Sequence, residues 1–275
     1  MNERRSGSLP IPAIDPSTVS RGWAFAPLLL VLLALLVRIV FFVGYQGRDD
    51  RNYLAYAHYL ATGGDLSSLD LHTQWLGRIG FWMPIAATMN VFGQTGLGYV
   101  AYPLLYSLAG VLLTLALGAA TVGRRAALLA AALLAVLPLD VLYATRAYPD
   151  LPLGVAMVAA FWLALRSRAT PRSVWPALGA GLMMGLAYLL KESAIFAFLP
   201  IAIALRFWRT EYWRALILIG VGFVIVFALE SAFWAAVKSD PMYRVQSASA
   251  VSDDLGRADQ RPRASAAVET GWIPG

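Results

Sequence analysis

From residue 23 to residue 43 the chain carries a single charge, Arg38, among apolar side chains. At about 1.5 Å per residue, a helix over that run covers roughly 30 Å, one hydrocarbon thickness. Lipid offers no partners to backbone amides, so such a run must satisfy them internally, as a helix does. No small-x-small cleavage pattern follows at Phe41, Phe42 and Val43, and the run reads as a retained signal anchor. Six further apolar segments follow, at residues 96–118, 126–144, 151–165, 176–190, 194–207 and 215–237. The pattern predicts an all-α fold: a polytopic transmembrane helix bundle of about seven spans, bent or partly embedded near Pro138, Pro149 and Pro200. Composition agrees, since 14% charged residues and a mean hydropathy of +0.62 are too apolar for a soluble domain.

Arginine placement predicts the orientation. With the N-terminus inside, the inner pieces hold Arg4, Arg5, Arg21, Arg124, Arg125, Arg166, Arg168, Arg172, Arg206, Arg209 and Arg214, against Glu3, Asp15 and Glu211. The outer pieces before the tail hold only Arg48, Arg51, Arg78, Arg146 and Lys191. That bias follows the positive-inside rule. The net charge of +6 is therefore a topology signal and not a nucleic-acid footprint. Cysteine is absent, so no disulfide forms. Two histidines, His58 and His72, cannot build a Cys/His metal site.

Three domains are expected: a cytoplasmic N-terminus without fixed structure (1–22), a membrane domain (23–237), and a polar outer tail without fixed structure (238–275). The longest outer connection runs from Gly44 to about Thr95. Its residues 50–62 read as a short aromatic, amphipathic helix at the lipid boundary, ended by Gly63-Gly64. The apolar stretch 81–92 is too short to span and is expected to lie at the interface or re-enter beside the bundle.

Ionisable groups near a bilayer are costly, and those that gather on one side become site candidates. Four clusters fall at outer helix ends: Asp49-Asp50 with Arg48 and Arg51, His72 with Arg78, Arg146 with Asp150, and Lys191-Glu192. Each has a plainer reading. Paired aspartates cap helices and line turns, lone arginines anchor at interfaces, and Asp150 caps the helix it precedes. Lys191-Glu192 resists that reading because it interrupts a stretch that would otherwise continue as an apolar helix. Glu230, inside the last span, reads as a proton-bearing or pocket-facing group, and Arg38 as a side chain that snorkels outward. Gly181-x-x-x-Gly185 reads as a close-packing face. Together these clusters suit group transfer from a lipid phosphate, with a carboxylate as general base and Lys or Arg on the departing phosphate.

Four stretches, taken in order, resemble the GT-C glycosyltransferases, in particular the protein-mannosyltransferase and aminoarabinose-transferase-like branch with its bacterial RgtA/B/C/D-like enzymes. Asp49-Asp50-x-x-Tyr53-x-x-x-Ala57, continuing to Gly63, looks like that family's first outer loop. Arg78-Ile79-Gly80-Phe81-Trp82-Met83-Pro84, ending Val91-Phe92-Gly93, is similar to its Arg…Pro…Phe-Gly stretch. Leu137-Pro138 with Arg146-Ala147-Tyr148-Pro149-Asp150 resembles its Pro…Asp segment. Residues 181–191, from Gly181-Leu182 through Gly185-Leu186-Ala187 to Lys191, resemble its Gly-Leu-x-x-Gly-Leu-Ala-x-Leu-x-Lys signature.

The resemblance implies a membrane enzyme that moves a sugar from a polyprenyl-phosphate donor to a hydroxyl of a glycan, lipid or protein acceptor. It implies inversion at the anomeric carbon, no metal or other cofactor, and action on the outer face of the cytoplasmic membrane. Asp49 would be the catalytic base, Asp50 its acidic neighbour and Asp150 the second carboxylate. Lys191 would hold the donor phosphate, joined by Arg78 and Arg146, with Tyr53 and Glu192 completing the substrate-binding set. Relatives usually continue into further spans and an outer domain, so the chain is expected to be a fragment, a compact variant or an inactive form. Two other classes fit a membrane bundle: a transporter or flippase, and a catalytically dead assembly subunit. Transporters place their polar groups at the midplane on broken, repeated helices, unlike the outer-end charges here.

Overall fold

A computed structural model describes residues 21–47, 49–69, 74–170 and 172–246. The expectations for residues 1–20, Arg48, His72 and the tail beyond 246 fall outside the described residues.

The first anchor forms α1 (Arg21–Val40), followed by the boundary helix α2 (Asp49–Ala61) and a single turn, α3 (Gln74–Gly77). Then come α4 (Ile79–Phe92), α5 (Gly96–Thr121), α6 (Arg124–Val136), α7 (Pro138–Ala144), α8 (Asp150–Ala169) and α9 (Trp175–Leu190). A 3-10 helix (Glu192–Ala197) leads into α10 (Phe198–Ala204), and α11 (Trp213–Lys238) closes the bundle. Every segment expected to span is helical in whole or part, and the architecture is an all-α membrane bundle. Among the described residues three helices, α5, α8 and α11, are long and apolar enough to cross alone. α6 and α7 together reach that length but bend by 57° at Leu137. Pro138 causes the break: its ring removes one backbone donor and clashes with a continuing helix, so it opens a new one.

The bundle is joined by α8–α9, α9–α11 and α5–α6 packing, with α1 against α5 and α6. Glycines allow the α9–α11 approach. A Cβ on Gly181 would sit 2.1 Å from the Ile219 carbonyl oxygen, and one on Gly222 would sit 2.4 Å from that of Leu178. The small-residue face therefore brings backbones together, as close-packed membrane helices require.

α2 presents Asp50, Tyr53, Leu54, Tyr56 and Ala57 inward, spacings that put all but Tyr56 on one helical stripe. That stripe rests on α4, whose Phe81, Trp82 and Ile85 are fully buried. α4 has 14 residues, too few to cross, and lies against α2, α5 and α9. Gly80 meets Leu189 of α9 so closely that a Cβ would lie 2.5 Å from the leucine Cβ. This approach delivers the start of α4 to the end of α9.

Two expectations are corrected. Arg38 does not snorkel: it is 1% exposed and ion-pairs with Asp140 of α7. Its remaining donors reach Ser107 Oγ at 2.7 Å and the carbonyls of Ala34 and Ala135 at 2.7 and 2.8 Å. A guanidinium with that many partners inside the bundle has no need of the headgroup region. The second correction concerns the start of the tail. Residues 239–246 turn back onto the bundle, where Tyr243 and Arg244 are buried against Trp234 and Glu230.

Candidate functional site

Asp49 and Asp50 occupy the first turn of α2, where exposed backbone N–H groups favour negative charge. Their side chains part. Asp50 is fully buried and takes Nε of Arg146 at 3.1 Å, Nη2 at 3.2 Å and the Gln46 N–H at 3.2 Å. Burial pushes its pKa above the usual carboxylate value, opposed by the hydrogen bonds and charge of Arg146. Asp49 is half-buried and accepts the Tyr148 hydroxyl at 2.9 Å.

Arg146, Tyr148 and Asp150 come from the short turn between α7 and α8, folded by a Tyr148 N–H to Arg146 carbonyl bond of 3.0 Å. Pro149 stops that turn from becoming helical, and Asp150 opens α8. The Arg146 guanidinium also lies 5.4 Å from the centroid of the Tyr148 ring. Burial, the Asp49 hydrogen bond and the charges of Asp49 and Asp150 hold the Tyr148 hydroxyl up to about 12. Tyr148 therefore stands between the two carboxylates and stays a proton donor to Asp49 at neutral pH.

Lys191 follows the last residue of α9 in extended backbone, φ −161° and ψ 137°, which ends the helix. Its ammonium meets Asp150 at 2.7 Å. The two side chains keep 31% and 36% of their surface exposed, enough for a ligand to reach both.

A second network lies deeper. Arg78 donates Nη1 to Tyr53 Oη at 2.5 Å and Nε and Nη2 to Glu192 at 3.3 and 3.2 Å. Tyr53 is fully buried and Arg78 is 8% exposed. All three nitrogens of Arg78 are thus engaged with protein, and Arg78 joins the buried Tyr53 hydroxyl to Glu192, whose side chain stays 30% exposed. Glu192 continues the chain to Arg244 at 3.2 Å, and Arg244 to Glu230 at 2.6 Å.

Beside the first group runs an open groove of about 350 Å³ between α5, α6–α7 and α8. Leu113, Leu134, Leu137, Leu151, Val155 and Val158 give it an apolar wall, and Asp140, Tyr143 and Asp150 supply its polar points. From Asp150 to Val158 it follows α8 for roughly 12 Å, two turns of helix. Asp150 belongs both to the groove and to the Lys191 pair. A charged head can therefore sit at Asp150–Lys191 while an apolar tail lies along α8.

Sequence reasoning brought Asp49, Asp50, Arg146, Asp150 and Lys191 to one end of the bundle, and the structure gathers them there. It missed Tyr148, Asp140 and Arg244. Tyr148 was legible as the hydroxyl between two chosen residues, and Asp140 as a lone carboxylate inside an apolar segment. Among the described residues no three His, Asp or Glu side chains form a metal-binding group.

No match is found among curated proteins or among solved structures. The family model for dolichyl-phosphate-mannose-protein mannosyltransferase matches residues 79–235, more than half of the chain. The matched stretch contains Arg146, Asp150, Lys191 and the groove, and begins after Asp49 and Asp50. The chain belongs to the dolichyl-phosphate-mannose-protein mannosyltransferase family and is a multi-pass membrane glycosyltransferase of GT-C type.

Proposed function

We propose that the protein transfers a sugar from a polyprenyl-phosphate donor to an acceptor hydroxyl, at the outer face of the cytoplasmic membrane and with inversion. The observation that carries this reading is the junction of the apolar groove with the Asp150–Lys191 pair. The isoprenoid tail lies along α8, and the phosphate sits by Lys191 and Arg146. Among the described residues Arg146 gives Nε and Nη2 to Asp50 and keeps Nη1 for a phosphate, and Lys191 has two N–H bonds beyond the one given to Asp150. Asp49, held by Tyr148, removes the proton of the acceptor hydroxyl. The acceptor oxygen bonds to the anomeric carbon from the face opposite the phosphate. The carbon–phosphate oxygen bond breaks, and its electron pair leaves with the phosphate. Lys191 and Arg146 balance the charge that grows there.

Asp50 serves by fixing Arg146, and Arg78, Tyr53 and Glu192 brace the floor beneath. The catalytic domain runs from residue 23 through α11 to the buried turn that holds Tyr243 and Arg244, entered from a cytoplasmic N-terminus. Sugar, and the choice among glycan, lipid and protein acceptors, follow from contacts above the groove.

The test is transfer from a labelled polyprenyl-phosphate sugar by the purified protein in vesicles, with product configuration read by NMR. Wild type yields inverted product, and Asp49→Asn yields none while still inserting in the membrane. Undiminished transfer by Asp49→Asn removes the mechanism.

A further inference from the structure

Residues 239–246 lie beyond the family-matched stretch, yet they reach the site's floor. Lys238 donates to the carbonyls of Ser67 and Leu69 at 2.9 and 2.5 Å, tying the end of α11 to the loop after α2. Trp234 and Tyr243 rings sit 4.8 Å apart, and a Tyr243 N–H to Asp240 carbonyl bond closes the turn. Arg244, 3% exposed, is thereby driven inward, its guanidinium 4.3 Å from the Tyr188 ring centroid. It bonds the Tyr188 carbonyl, Glu230 Oε1 at 2.6 Å and Glu192 Oε1 at 3.2 Å.

Glu192 is consequently gripped on both oxygens, Oε1 by Arg244 and Oε2 by Arg78. Two carboxylates, Glu192 and Glu230, meet two guanidiniums, and the network is neutral. Glu192 directly follows Lys191 at the extended break after α9, so the place of one fixes the other. We propose that Arg244 is a positioning residue of the transfer site: its hold on Glu192 keeps the neighbouring Lys191 ammonium outward on Asp150. Without Arg244, Glu192 keeps Arg78 and Glu230 loses its guanidinium, so the network carries one surplus negative charge. The adjacent cation is Lys191, which then turns inward and leaves the phosphate position. This rests on the functional reading above for its consequence, though not for its geometry.

Arg244→Met tests it in two ways. KM for a labelled polyprenyl-phosphate sugar rises about tenfold while kcat at saturating donor stays within about twofold, a loss of ground-state binding. Acylation of Lys191 by an amine reagent slows severalfold, read by peptide mass spectrometry, which separates it from the only other lysine, Lys238. Arg244→Met/Glu230→Gln removes the surplus carboxylate and restores both values, which a residue needed only for packing would not do. If Arg244→Met does not fold, Arg244→Lys gives the same directions at smaller size. Wild-type KM and wild-type Lys191 acylation in the folded variant overturn the proposal, as does a double variant that restores neither. A wild-type protein that transfers from no polyprenyl-phosphate sugar overturns the functional reading instead, and the acylation result then decides this one alone.

Discussion

Tyr148 gives its hydroxyl hydrogen to Asp49 at 2.9 Å and bridges the start of α2 to the turn before α8. The residue proposed as base is thus oriented by a side chain about a hundred positions away in sequence, |i−j| being 99. Tyr148→Phe removes one hydrogen bond to a carboxylate and keeps the ring beside Arg146 and Tyr143. Such bonds contribute about 1.5–3 kcal/mol, so kcat is expected to fall at least about tenfold with donor KM little changed. Steady-state kinetics with varied donor checks this.

Asp50 holds its proton more tightly in the folded protein than in the unfolded chain, because burial outweighs the help of Arg146. Folding stability therefore rises as pH falls through the window between the raised value and the ordinary aspartate value. Asp50→Asn has no such proton and lacks that rise. Thermal unfolding in detergent from neutral pH to mildly acid pH, wild type against variant, measures the difference in slope. Parallel curves would show that Asp50 carries no such linkage.

The Arg38–Asp140 pair is buried within the bundle, with Asp140 also lining the groove. Breaking one side of a buried pair costs about 3–5 kcal/mol, whereas replacing both sides by apolar residues is often neutral. Arg38→Met is expected to destabilise the bundle by about 3 kcal/mol, and Arg38→Met/Asp140→Leu to recover most of it. Denaturant titration of the reconstituted variants is the measurement.

Gly181 faces the Ile219 carbonyl with no room for a side chain. Because the obstacle is backbone, Gly181→Ala must push α11 away from α9, at a cost of about 1–3 kcal/mol. Gly220, whose Cβ would meet nothing within 4 Å, is the control on the same helix pair. Gly220→Ala should unfold at or above the wild-type temperature, since alanine favours helix.

The architecture was legible because lipid leaves few options to an apolar run, and each expected segment is helical. The boundary helix was legible as a short aromatic, amphipathic run ended by Gly63-Gly64. The site was legible only as a set of charges at one end. Pairings were not, because partners lie 96 residues apart for Asp50 and Arg146 and 114 for Arg78 and Glu192. Nothing local in the chain specifies such meetings; helix packing does. Arg38 was misread for the same reason, since its burial depends on Asp140, |i−j| = 102, arriving from α7. Arg244 was missed because Ser, Ala and Asp around it mask the Pro241-Met242-Tyr243-Arg244 run.

The 57° turn at Leu137 has a consequence for supply. Leu137, Leu139 and Val158, all lining the groove, are 45%, 58% and 44% exposed, an apolar flank whose favourable neighbours in a bilayer are acyl chains. An amphiphile enters such a slot by sliding within one leaflet. On the proposed lipid-linked donor, turnover then depends on how many molecules occupy each patch of bilayer, not on their amount per volume of buffer, and the spent carrier leaves sideways through the same door.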